Sequence, residues 1–105
     1  MKQGDLIVVP FPFTDLSGSK IRPALVLLAT PFDVTLAFIT TQLQWQEPTD
    51  LVITPTRLNG LKKLSLVRLS KLATIDANLA QGLLGTLDAA QLQSVHQNLR
   101  LLLQL

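Results

Sequence analysis

The chain has 105 residues, of which 48% are hydrophobic and only 15% charged, with a formal net charge of +2 and no cysteine. That length suits one domain over residues 1–105, able to bury about 65% of its unfolded surface; lack of cysteine excludes a disulfide framework and a thiolate metal site. No apolar run approaches the ~18 residues of a membrane span, and Met1-Lys2-Gln3-Gly4-Asp5 leads into a strand pattern without the segments of a signal peptide, so the expected location is the cytoplasm, with no membrane partner.

Taken in order, Gly4-Asp5 opens the apolar run Leu6-Ile7-Val8-Val9, which reads as a strand halted by Pro10-Phe11-Pro12-Phe13. A polar loop, Thr14-Asp15-Leu16-Ser17-Gly18-Ser19-Lys20, precedes a second apolar strand over residues 24–28. The residue before a proline is pushed out of the helical region, so Arg22 is expected to be extended. Pro23 lacks an N–H and fits only a strand start or edge. Arginine is thereby held at the mouth of the loop, where its planar, permanently charged fork can grip a phosphate through two hydrogen bonds.

The turn Thr30-Pro31-Phe32-Asp33 leads into the strand Thr35-Leu36-Ala37-Phe38-Ile39, which ends in Thr40-Thr41-Gln42. Side chains alternate along a strand, so only one of the two threonines is expected to face a site there. Residues 42–50 are polar apart from Leu43 and Trp45 and read as a surface loop, in which Trp45 is either a platform for a stacked base or the cap of a hydrophobic edge. Leu51-Val52-Ile53 is a short strand, Asn59-Gly60 a turn, residues 65–72 another strand, and Thr74-Ile75-Asp76 a further turn. Gly82 and Gly85 mark residues 79–87 as a bent or bulged strand. Short strands with short connections predict a small antiparallel barrel.

One helix closes the chain. Asp88 and Gln91 have the spacing of a capping box, and Leu87 and Leu92 that of a hydrophobic staple around it. Leu92, Val95, Leu99 and Leu102 recur at helical spacing, and Leu101, Leu103 and Leu105 widen the apolar face, which predicts a helix end buried on more than one side. Twenty-four leucines are more than one small core readily hides, so an apolar surface covered by a second copy of the chain is expected.

Between residues 57 and 71 there are five basic residues, Arg57, Lys62, Lys63, Arg68 and Lys71, and no acidic one. This is either a groove for RNA phosphates or an acidic segment, or a solvated face. His96 is the only histidine and reads as a helix-surface or packing residue. The seven carboxylates lack metal-ligand spacing and no glycine-rich nucleotide motif precedes a helix, so neither a metal-dependent nuclease nor a nucleotide-binding enzyme is expected. RNA cleavage by its own 2′-hydroxyl remains possible with such residues, because the protein then need only orient the chain and stabilise charge on phosphorus-bound oxygens.

Gly4-Asp5-Leu6-Ile7, Pro10-Phe11-Pro12-Phe13-Thr14-Asp15, Gly18-Ser19, Arg22-Pro23-Ala24-Leu25-Val26-Leu27 and Ile39-Thr40-Thr41-Gln42 together resemble the MazF/PemK family of toxins. The resemblance spans the whole chain. It implies an SH3-like small β-barrel with a C-terminal helix, a homodimer, and the toxin of a type II toxin-antitoxin pair, partnered by an antitoxin with an acidic tail. The implied activity is sequence-specific, metal- and cofactor-independent cleavage of single-stranded RNA, leaving a 2′,3′-cyclic phosphate and a 5′-hydroxyl. By motif match, Arg22 is the phosphate-gripping, proton-donating residue, Thr40 a phosphate hydrogen-bond donor and Ser19 a loop hydroxyl beside them.

RNA-binding candidates are Asp15, Lys20, Gln42, Lys62, Lys63, Arg68 and Lys71. Arg68 resembles an arginine that some relatives use, but Ser70 stands where one branch of the family has an aspartate, which leaves Arg68 a binding role. Only Lys20 and Ile21 separate Gly18-Ser19 from Arg22-Pro23, a shorter loop than in relatives. Asp15 either orients Arg22 or accepts backbone hydrogen bonds in its turn. The alternatives are a non-catalytic toxin of the same fold that binds a protein such as gyrase, and an inert RNA- or protein-binding barrel. Arg22 and Thr40 on one surface within reach of one phosphate would favour the enzyme; Arg22 buried in a structural ion pair would favour the others.

Overall fold

Apolar side chains fill both faces of one sheet, which is why the strands read as continuous hydrophobic runs instead of strict alternations. The computed structural model describes residues 1–11 and 20–105, so the expected loop with Asp15 and Ser19 lies outside the described residues. Strands β1 (Asp5–Phe11), β2 (Lys20–Ala29), β3 (Asp33–Thr40), β4 (Leu51–Ile53), β5 (Ser65–Asp76) and β6 (Gly82–Thr86) pair antiparallel in the order β4-β5-β3-β2-β1-β6, followed by helix α1 (Ala89–Leu103). The sheet curls into a half-barrel, as the small-barrel expectation required.

On one face Leu6, Leu25, Leu27, Ile39, Val67 and Leu69 meet Val95 of α1, with Leu92, Leu99 and Leu102 packed against them. On the other, Ile7, Val9, Ala24, Val26, Val34, Leu36 and Ile75 form a second buried cluster, to which Phe38 and Ala73 add. Each fully buried Leu, Ile or Val contributes about 1.5–3 kcal/mol relative to exposure. Consecutive residues such as Leu25 and Val26 serve opposite clusters, so a one-residue slip of β2 would exchange the two cores.

β2 lies between β1 and β3, and Pro23 sits within it, paired with Val8 of β1. The ladder to β3 starts only at Ala24, opposite Phe38. A proline has no N–H to donate, so it can occupy an inner strand only where pairing on one side has ended. That end of the β2–β3 pair is where the cleft described below opens.

The remaining boundaries follow local chemistry. Thr74-Ile75-Asp76 belongs to β5, not to a turn: Thr35 and Thr74 pair across the strands with their hydroxyls 2.6 Å apart, and Ile75 joins the second core. The chain turns one residue later, where the Asp76 carboxylate accepts the Asn78 N–H at 2.8 Å and caps a 3-10 turn over Ala77–Leu79. β6 carries the expected bulge, since Leu6 pairs with Gly85 and Ile7 with Leu83. Backing onto it is the Asn59-Gly60 turn, with Gly60 at φ +72° and a Cβ there coming 2.3 Å from the Leu84 carbonyl oxygen. Asn59 is fully buried and holds this turn, accepting the Thr56 and Leu61 N–H groups and donating to the Thr54 carbonyl, each at 3.0 Å.

The capping box of α1 is complete: the Gln91 N–H donates to Asp88 Oδ1 at 2.7 Å, and the Asp88 N–H to Gln91 Oε1 at 3.3 Å. His96 is half-buried, its Nε2 2.9 Å from Gln3 Oε1, in keeping with a packing role. The C-terminal end of the helix departs from expectation. Leu101, Leu103 and Leu105 are exposed, Leu105 by 86%, because 3.6-residue periodicity turns Leu101 away from the face that carries Leu99 and Leu102, and Gln104 ends the helix in a left-handed cap at φ 59°.

Candidate active site

A cleft of about 500 Å³ opens where the β2–β3 ladder stops. β2 contributes Arg22 and Pro23, β3 contributes Phe38, Ile39 and Thr40, and the chain beyond β3 adds Thr41, Gln42 and Trp45. Across it β5 supplies Ser65, Arg68 and Lys71.

Arg22 pairs with Val9 of β1 and is exposed. Among the described residues, no ion pair or hydrogen bond engages its guanidinium. Arg22 lies two residues before Ala24 and Thr40 two residues after Phe38, both beyond the last β2–β3 pair, and both line the cleft. Thr40 Oγ1 accepts the Gln42 N–H at 3.1 Å. That bond uses an oxygen lone pair and leaves the hydroxyl proton to donate outward. β3 ends at Thr40, so strand alternation no longer governs Thr41, and both threonines line the cleft where one was expected.

Arg68 lies opposite Phe38 and is committed to the protein itself. Its Nε donates to Asp50 Oδ2 at 2.8 Å and its Nη2 to Glu47 Oε1 at 2.7 Å, with side-chain exposures of 12% for Arg68, 0% for Asp50 and 49% for Glu47. Asp50 also accepts the Glu47 N–H at 3.1 Å and the Ser70 N–H at 3.4 Å. Residues 42–50 are therefore more than a surface loop, since a buried carboxylate pins their end to β5. The uninterrupted basic run over residues 57–71 is correspondingly partitioned. Arg68 is neutralised by carboxylates 18 and 21 residues away, Lys71 is exposed on the cleft, and Lys62 and Lys63 are exposed outside its lining.

The cleft thus unites Arg22, Thr40, Gln42, Arg68 and Lys71 among the candidate residues. Lys20, the first residue of β2, does not line it, and Ser19 and Asp15 lie outside the described residues. Phe38 and Ser65 were missed, although Phe38 was legible as the residue two before Thr40 on the same strand face. Trp45, weighed between platform and edge cap, projects into solvent at the cleft. Among the described residues, no three His, Cys, Asp or Glu side chains are grouped to hold a metal ion.

A curled antiparallel half-barrel with a terminal helix, bearing a cleft lined by cationic, hydroxyl and aromatic side chains, defines a small β-barrel with one such cleft among the described residues. The sequence matches the PemK-like, MazF-like toxins of type II toxin-antitoxin systems over residues 2–103, and the chain belongs to that family. Among solved structures, it is similar to an endoribonuclease in complex with its cognate antitoxin from a mycobacterial species, at TM-score 0.80 and 17% identity, over 100% of this chain and 96% of that one. It is also similar to the Mycobacterium tuberculosis toxin MazF-mt6, at TM-score 0.74 and 24% identity over 96% and 97% of the two chains. Deinococcus radiodurans MazF gives TM-score 0.74 at 21% identity over 100% and 97%. No curated protein matches the sequence.

Proposed function

We propose that the chain is an endoribonuclease toxin that cuts single-stranded RNA at this cleft, in the cytoplasm, without a metal. The observation that carries the proposal is an exposed arginine and a threonine hydroxyl lining one open cleft, with no carboxylate among the described residues neutralising the arginine. In the reaction the RNA 2′-hydroxyl gives its proton to solvent water as its oxygen attacks the adjacent phosphorus, the P–O5′ bond breaks, the departing 5′-oxygen takes up a proton from water, and the products are a 2′,3′-cyclic phosphate and a 5′-hydroxyl. The Arg22 fork binds two non-bridging oxygens and an Arg22 N–H faces the departing 5′-oxygen. Thr40 Oγ1–H donates to a phosphate oxygen as its charge grows. These groups act through placement and charge, which is where most catalysis of such steps resides. Lys71 adds an exposed cation for a neighbouring phosphate.

Arg22, exposed and without an ion-pair partner among the described residues, favours this reading over a toxin that only binds a protein target. Incubating purified protein with a mixed RNA pool in chelator and mapping new 5′ ends tests it. New 5′-hydroxyl ends at one recurring sequence are expected, and an intact pool would reject the proposal.

The partners in this reading are a second copy of the chain and an antitoxin whose acidic, apolar-dotted tail folds over Arg22 and Lys71. The surplus leucine surface supports the dimer, with Leu101 and Leu105 72% and 86% exposed on a single chain. Sedimentation at micromolar concentration should give twice the 11.5 kDa chain mass. A species of 11.5 kDa alone would remove the dimer.

A further inference from the structure

Trp45 is the only tryptophan of the chain and is 59% exposed. An indole that capped a hydrophobic edge would be largely covered; this one belongs to a 3-10 turn, Leu43–Trp45, with no buried residue. Its backbone is nevertheless well tied. The Trp45 N–H donates to the Gln42 carbonyl and the Gln46 N–H to the Leu43 carbonyl, while Gln44 Nε2 donates to Gln42 Oε1 at 2.8 Å. A few residues on, Glu47 and the buried Asp50 are clamped to β5 by Arg68. A large flat ring is thus presented to solvent on a fixed support, at the rim of the cleft that holds Arg22.

What surrounds it selects the occupant. Phe38, Ile39 and Pro23 give the cleft an apolar wall, Arg22 and Lys71 bring positive charge, and Thr41 and Gln42 bring a hydroxyl and an amide. A planar apolar body with a polar edge, attached to an anion, complements all of these groups at once, and that is the description of a nucleotide. Aromatic faces stack unpaired bases with little regard for sequence, while cations track the backbone. An amide such as that of Gln42 can read a base edge through paired donor and acceptor.

We infer that Trp45 is the stacking platform for an unpaired RNA base next to the phosphate held by Arg22, and that the Arg68–Asp50–Glu47 clamp positions it. The inference rests on the ribonuclease reading and adds to it the residue that grips a base. Trp45 does no chemistry, so its loss weakens RNA binding and raises KM more than it lowers kcat.

The single indole makes the test direct, because its emission reports only this site. The probe is a pool of random-sequence 2′-O-methyl RNA decamers, whose blocked 2′-hydroxyl prevents cleavage, set against abasic ribose-phosphate decamers of equal length. RNA with bases should quench the indole emission and abasic RNA should not. Trp45→Ala should bind the 2′-O-methyl pool, followed by anisotropy of a labelled strand, about 5- to 160-fold more weakly, the range of losing one stacked base. Trp45→Phe should recover most of the binding. An exposed side chain is dispensable for folding, and circular dichroism of Trp45→Ala checks that.

If the wild-type protein cuts and binds RNA while its emission is unchanged, or Trp45→Ala binds as wild type does, the platform is wrong and the ribonuclease reading stands. If RNA is neither cut nor bound while an acidic, leucine-containing peptide quenches the indole, both fall, and the cleft is a protein-docking site.

Discussion

Arg22→Ala is expected to lose cleavage by on the order of 100- to 1000-fold, the usual effect of removing one preorganised donor from a developing oxyanion. Pro23 keeps the preceding residue extended whatever its side chain, so the backbone at position 22 should hold its place in β2 after the substitution. The Arg22 side chain is exposed and unpaired among the described residues, so stability should change by less than about 0.5 kcal/mol. Arg22→Lys separates charge from geometry. Lysine retains the positive charge but not the planar fork, and should keep RNA binding while losing most of the turnover. His96→Ala, altered on the helix where the ring meets Gln3, should cut RNA normally. Single-turnover cleavage of an RNA carrying the mapped sequence would decide the matter: a folded Arg22→Ala protein cutting at the wild-type rate would move the active centre elsewhere.

The sequence made the frame of the site legible because local rules govern it. Arg-Pro sets one backbone conformation, Asp88 and Gln91 close a helix end through contacts three residues apart, and Gly85 marks a bulge against β1. Thr40 could be placed because it ends a strand whose apolar core residues are plain. Harder to see were facts set by partners distant in sequence. Nothing near Arg68 signals that Glu47 and Asp50 will claim its guanidinium, so a run of five basic residues reads as one positive field when the fold divides it. Asp76 was expected to lie in a turn, and it is the last residue of a twelve-residue strand because β3 continues alongside it. The outward leucines of α1 misled for another reason: helical periodicity identifies a face but not how far along the helix it is covered, so Leu101 points away from that face and Leu103, in the last turn, is exposed although it lies on the same side as Leu99.

Arg68→Ala is expected to destabilise the fold by about 3–5 kcal/mol, the usual result of leaving one partner of a buried ion pair behind. The orphan is Asp50, whose side chain has no exposure. Its remaining donors, the backbone N–H groups of Glu47 and Ser70 and the Ser70 hydroxyl, are uncharged and two of them lie at 3.4 Å, so they compensate only in part. For a small domain with a total stability of 5–15 kcal/mol, that is a large fraction. Asp50→Asn placed in the Arg68→Ala background should recover some of it by removing the unpaired charge. Glu47→Ala should cost no more than about 1 kcal/mol, since its side chain is half-exposed and the pair is screened by water. Urea unfolding at one fixed protein concentration measures all three, the concentration being held because a dimer's stability depends on it. Equal losses from Arg68→Ala and Glu47→Ala would mean that Asp50 is not the energetic centre of the cluster. The same Arg68→Ala protein, at temperatures where it stays folded, should bind RNA with weaker quenching of Trp45, because the support of the 42–50 segment has lost its tie to β5.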